Sequence, residues 1–303
     1  MDALAVFSKP MLILTGGEPM SRADIYDLAR YGTERGLGVV MAPCGPMITE
    51  VAAARMRDAG IRAISISLDG ATSRTHDAFR GVDGAFEATL RGLKHAQNAG
   101  IPFQINSTVT RENADELPAL LSLATQLGAK TFDLFFLVPT GRGKSLKSLE
   151  LPPERYETVL RWVEEVGRTS PMRVKTTCAP HFARVRLQRG GLPKTERVQR
   201  DGCMAGRGFV FISHTGVLQP CGFLEIPCGD LRAEDFDFGK LYRQSQVFRA
   251  LTNVDEYHGK CRVCEFRRLC GGCRARAYAV SGDILGEEPF CIYAPRRAAA
   301  LET

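Results

Sequence analysis

The sequence predicts an α/β fold followed by a smaller cysteine-rich region. Three observations carry that expectation. Short, nearly continuous apolar runs recur from residue 11 to about 178, amphipathic stretches separate them, and beyond about residue 200 clustered cysteines replace this rhythm. Strands covered on both faces read as unbroken apolar runs, and their alternation with helices marks a βα array.

In chain order the runs are MLILTGG (11–17), LGVVMA (37–42), RAISISL (62–68), PFQINSTV (102–109), TFDLFFLV (131–138) and MRVKTT (172–177). The helical stretches between them are 22–35, 49–58, 84–98, 113–127 and 153–168. Ser21 followed by Asp24 fits a capping box that opens the first helix. Gly36, Gly60, Gly100 and Gly128 each close a helical stretch just before a strand, the place for a left-handed helix end. A repeating βα unit implies a parallel sheet, in either an open sheet or a barrel. The Gly-, Lys- and Arg-rich stretch 190–202 reads as a linker and places a domain boundary between 1–190 and 191–303. FVFISHTGVLQPC (209–221) reads as a hairpin turning at His214-Thr215-Gly216.

Bulk composition narrows the function. With 303 residues, 44% hydrophobic and 24% charged, the chain can bury one large core and carry an appendage. It has no apolar run of about 18 residues, and the N-terminus lacks the layout of a secretion signal, so a cytoplasmic protein is expected. Ten cysteines, several in CxxC pairs, suit intracellular metal binding better than a disulfide scaffold. A net charge of +6 without basic runs interleaved with aromatics favours an acidic small molecule over nucleic acid.

Three motifs carry chemistry. In LTGGEP (14–19), two glycines let backbone approach a ligand and the adjacent carboxylate can grip an ammonium group. An ordinary strand-to-helix turn is the plainer reading of the same residues. In SISLDG (65–70), Ser67 and Asp69 stand where a strand ends, the usual ligand edge of an α/β sheet; alternatively Asp69-Gly70 is a turn and Asp77 pairs with Arg80. The third motif is a set of seven cysteines. Cys203 and Cys221 flank Gly216, Cys261, Cys264, Cys270 and Cys273 form C-x2-C-x5-C-x2-C, and Cys291 follows. Thiolates so spaced hold zinc or an iron–sulfur cluster. A zinc ribbon uses four and leaves Cys203, Cys221 and Cys291 spare.

Together LTGGEP, SISLDG with HDAFRG behind it, and the cysteine set resemble the radical S-adenosylmethionine enzymes that carry a SPASM domain. Within them, TTCAPHFAR (176–184), GFVFISHTGVLQPCGFL (208–224) and CGGCRARAYAVSGDILGEEPFC (270–291) look like the tetrapyrrole-modifying branch of haem d1 and siroheme-dependent haem biosynthesis. The resemblance implies a partial (β/α)6-type barrel lacking its first βα unit, plus a cysteine-rich SPASM iron–sulfur domain. It implies S-adenosylmethionine as cofactor, with Gly16, Gly17 and Glu18 at its methionyl amino group and Ser67 and Asn106 at its carboxylate or ribose. It implies one or two auxiliary 4Fe-4S clusters. Cys261, Cys264, Cys270 and Cys291 would hold one. Cys203, Cys221 and Cys273 would contribute to the other, with Cys178, Cys228 or an open site in the fourth position.

The implied substrate is an iron porphyrinoid whose propionate or acetate arms are remodelled, with ferredoxin or flavodoxin as electron donor. Arg142, Lys144, Lys147, Arg274 and Arg276 are candidates to bind its carboxylates, against the plainer reading as solvated charges. His181 or His214 could face its iron, although a capping or packing histidine is the commoner case. The family's C-x3-C-x2-C motif does not occur in the 303 residues, so this polypeptide alone is not expected to start a radical reaction. Rival readings are a SPASM peptide-modifying maturase, a non-catalytic iron–sulfur protein and a zinc-binding structural protein.

Overall fold

In a computed structural model, residues 1–190 and 202–296 are described, except for the Arg142 side chain. The expected linker therefore falls, but for its two ends, outside the described residues. Six strands form one sheet in the order of the chain: β1 Met11–Leu14, β2 Gly38–Met41, β3 Ile64–Ser67, β4 Phe103–Val109, β5 Thr131–Phe136 and β6 Arg173–Thr177. Helices alternate with them, as in an incomplete (β/α) barrel. The chain divides into two compact units, residues 1–134 with 170–175, and residues 135–169 with 176–303.

In the first unit α1 (Asp2–Phe7) precedes β1, and α2 (Ile25–Glu34), α3 (Glu50–Asp58), α4 (Ser73–Arg80), α5 (Ala85–Asn98) and α6 (Leu117–Gln126) follow. The expected capping box at Ser21 does not form. Ser21 ends a short 3-10 turn, and Asp24 pairs with Arg22 instead of capping α2. Gly36, Gly60, Gly100 and Gly128 do end helices with φ of 73–80°. The two faces of the sheet differ. Val39, Met41, Ile64, Ile66, Phe103 and Ile105 alternate on one face and are buried. Ser65, Ser67, Gln104, Asn106 and Thr108 occupy the other, which stays polar and less covered. That alternation leaves one face of β3 and β4 polar and only partly covered.

The end of β3 is locked by Asp69, which is fully buried. Its Oδ1 accepts from the Thr108 amide at 2.7 Å, and Arg80 lies 2.5 Å from Oδ2. Its own amide donates to His76 Nδ1, and its carbonyl accepts from Asn113. The expected Asp77–Arg80 pair does not form: Asp77 accepts from the Gly84 and Phe86 amides at the start of α5. Through Oδ1 and its carbonyl this buried residue ties β3 to β4 and to the loop after β4.

In the second unit α7 (Pro153–Thr169) packs on α8 (Phe182–Gln188) through a buried pair in which both Arg184 Nη atoms donate to the Glu157 carboxylate. Burial raises the Glu157 pKa, but Arg184 outweighs it and leaves the group below its usual range. The expected hairpin is present as β7 (Phe211–Ile212) and β8 (Leu218–Gln219), with His214-Thr215-Gly216 at its turn. Short helices follow, α9 (Phe238–Gln244), α10 (Gln246–Thr252), α11 (Gly259–Val263) and α12 (Arg274–Ser281). Among the described residues no helix is long and apolar enough to cross a membrane.

Candidate functional site

In the first unit, β1 leads into Gly16, Gly17 and Glu18. Neither glycine has a heavy atom within 4 Å of where a Cβ would stand, so open space borders that backbone. Glu18 Oε1 accepts from the Met20 amide at 2.8 Å, and Oε2 accepts from the Cys44 amide at 2.6 Å. The loops after β1 and β2 are thereby joined. A carboxylate offers about four acceptor sites, so two amide bonds leave capacity for an ammonium group. Ser67 and Asn106 are register partners across β3 and β4. Asn106 stands in mid-strand rather than at a strand end, and Gln104 Nε2 donates to its Oδ1 at 2.8 Å.

The second unit holds nine of the ten cysteines, all but Cys44, and every one is a free thiol. The thiols fall into two sets. Cys178, Cys203, Cys221 and Cys273 gather on one apolar cluster with Val138, Leu224 and Leu251. Cys178 and Cys273 are hydrogen-bonded to each other, which raises Cys178 well above the usual thiol range and holds Cys273 down to about 7. Burial pushes Cys221 up to about 12. Cys228 stands apart, with its Sγ on the Ile226 carbonyl and its neighbour Ser245.

Cys261, Cys264, Cys270 and Cys291 form the other set. All four line one cavity of about 410 Å³, solvent at its mouth included. His181 and Arg184 line it too. Burial pushes Cys270 well above the ordinary thiol range. Among the described residues no three Cys, His, Asp or Glu side chains converge on a point where a single ion would sit. Thiols spread around a void suit a multi-iron cluster, in which each sulfur meets a different iron, better than zinc.

The basic residues expected to fork substrate carboxylates divide. Arg274 and Arg276 are buried and spent on protein. Arg274 donates to the Gly272, Ile284 and Gly286 carbonyls. Arg276 donates to the Cys178, Phe136 and Leu137 carbonyls and pairs with buried Glu288. Glu288 in turn accepts from the Cys273 amide at 2.7 Å. These bonds pin the cysteine loops, while Arg274 Nη2 and Arg276 Nε are left without a hydrogen-bond partner. Lys144 and Lys147 are exposed, and the Arg142 side chain lies outside the described ones. His214 is exposed at the hairpin turn. His181 is 1% exposed and stacks on Tyr156 with ring centroids 4.7 Å apart. Burial pushes its pKa down to about 4, so the ring is neutral. It makes no side-chain cap at α8; of the two commoner roles, capping or packing, its stack on Tyr156 fits packing.

Sequence reasoning did not find Glu288, Tyr156, Gln104 or the Cys44 amide. Glu288, Tyr156 and the Cys44 amide act on residues 12 or more positions away, and no spacing announces such a contact; Gln104 acts on Asn106 only two residues on, along the same face of its strand.

Comparison with known proteins places the chain. The radical SAM superfamily profile matches residues 1–124. A protein from Nitratidesulfovibrio vulgaris named AdoMet-dependent heme synthase is 45% identical over 98% of this chain and 83% of its own length. One of the same name from Methanosarcina barkeri is 44% identical over 97% of this chain and 86% of its own. In structure, native anSMEcpe with bound AdoMet and a peptide superposes with a TM-score of 0.70 at 17% identity, over 96% of this chain and 83% of that one. That likeness shows the fold, a partial barrel followed by a cysteine-rich region. The chain belongs to the radical SAM superfamily, in the group of the AdoMet-dependent haem synthases.

Proposed function

We propose that this chain serves the oxidative decarboxylation of propionate arms on an iron coproporphyrin, the haem-forming step of the siroheme-dependent route. The observation that carries the reading is identity of 44–45% with two haem synthases along nearly the whole chain. When bound, S-adenosylmethionine and the family's iron–sulfur clusters supply the radical that takes a hydrogen atom from the arm and accept the electron left as carbon dioxide departs.

The chain's own residues then have defined tasks. Gly16 and Gly17 leave room beside the backbone for the methionyl group, and Glu18 orients its ammonium. Ser67 and Asn106 meet its carboxylate or ribose on the polar face of the sheet, with Gln104 steadying Asn106. Cys261, Cys264, Cys270 and Cys291 hold one auxiliary 4Fe-4S cluster. Cys203, Cys221, Cys273 and Cys178 hold a second, with Cys178 rather than Cys228 as its fourth ligand. These cysteines belong to a domain spanning 191–303, with Cys178 contributed from before it. Lys144 and Lys147 are the exposed cations left for substrate carboxylates. Ferredoxin or flavodoxin supplies electrons, in the cytoplasm where thiols stay reduced. Without C-x3-C-x2-C, this polypeptide on its own does not initiate the reaction.

The test is anaerobic titration of the reconstituted protein with iron coproporphyrin III. A saturable shift of the Soret band, abolished by esterifying the propionates, is expected. No shift, or equal binding of the ester, overturns the substrate assignment.

A further inference from the structure

His181 is a buried imidazole with both nitrogens lacking a hydrogen-bond partner. A neutral ring carries one N–H and one acceptor, and leaving such groups dry and unpaired is unfavourable. The ring is not free to turn toward water. It stacks on Tyr156, which is itself clamped between Phe136, at a centroid distance of 4.2 Å, and Phe290, at 6.1 Å. The space the ring borders is the cavity lined by Cys261, Cys264, Cys270 and Cys291. Its neighbour there, Arg184, is engaged by Glu157 and Gln188 and does not pair with it.

We propose that His181 donates an N–H hydrogen bond to a sulfur of the iron–sulfur cluster in the four-thiol cavity and raises that cluster's reduction potential. The inference rests on the reading that this cavity holds an auxiliary cluster. Four cysteines satisfy four irons, so the imidazole is a positioning and tuning group rather than a ligand. A donor aimed at cluster sulfur stabilises the more negative, reduced form, which moves the potential upward.

The experiment is an EPR-monitored redox titration of anaerobically reconstituted full chain, with iron and sulfide determined in parallel. His181→Phe is expected to keep its iron and sulfide while one cluster's midpoint moves to lower potential. His181→Gln, whose amide can donate, is expected to recover part of the shift. In unmutated protein carrying 15N-histidine, pulsed EPR of the reduced clusters is expected to show a weak 15N coupling, a readout independent of whether the variants fold. An unchanged midpoint together with no 15N coupling overturns the proposal. Loss of iron in His181→Phe with a strong 15N coupling overturns it too, because His181 would then be a ligand. The underlying reading fails separately: Cys264→Ala would then retain all the iron of the unmutated chain.

Discussion

Cys178 holds a left-handed backbone conformation, φ 61°, which a residue with a Cβ adopts only under constraint. The constraint is visible: its carbonyl accepts from Tyr156 Oη at 3.1 Å and from Arg276 Nη1 at 2.9 Å. The bend that results carries its sulfur to Cys273. Cys178→Ala is therefore expected to lower iron content by about four per chain, one cluster's worth. Cys228→Ala is expected to leave iron unchanged, and colorimetric iron analysis distinguishes the two. Glu288 belongs to the same assembly, joining Arg276 to the Cys273 amide. Removing one member of a buried pair costs about 3–5 kcal/mol because the other charge is left stranded. Glu288→Ala should lower the urea midpoint accordingly, already in the metal-free protein.

Among the elements, α5 shows how a single atom sets packing. A Cβ on Gly92 would stand 2.0 Å from the Gly45 carbonyl oxygen, so the helix rests directly on the turn after β2. Alanine gains about 1 kcal/mol in helix propensity over glycine. Overpacking a close backbone contact costs about 1–3 kcal/mol. Gly92→Ala is thus expected to destabilise the protein, which chemical denaturation will show as a lower midpoint at unchanged slope. The longer helices and all six strands follow the apolar rhythm of the sequence. The helix Ser73–Arg80 does not, because His76 is its one buried residue and no apolar stripe exists to read. It is held by Thr72 at its start and Gly81, with φ 66°, at its end.

For the molecule as a whole, two quantities separate cluster binding from radical initiation. Two thiol sets predict about eight irons per chain after anaerobic reconstitution. The 303 residues contain no C-x3-C-x2-C, and the proposal that they do not initiate the reaction by themselves predicts no 5′-deoxyadenosine when the reconstituted chain is mixed with S-adenosylmethionine and dithionite, as measured by chromatography. Iron bound without nucleoside product supports both expectations. Nucleoside product would show that other residues carry the initiating cluster.

Periodicity is a local property, and the strands, the five longest helices, the hairpin and the glycine helix ends were all legible from it. The cysteine spacings were legible for the same reason, since each motif lies within a short span of chain. What partners a buried charge or fills a fourth ligand position is set by contacts between remote segments. Cys178 and Arg276 are 98 residues apart, and Arg276 and Phe136 are 140 apart. No pattern in the amino-acid order shows that Arg274 and Arg276 turn inward, that Asp69 rather than Asp77 takes Arg80, or that His181 borders a thiol-lined void. Folding alone brings those groups together, because burying a charged or polar side chain requires a partner that only the packed chain supplies.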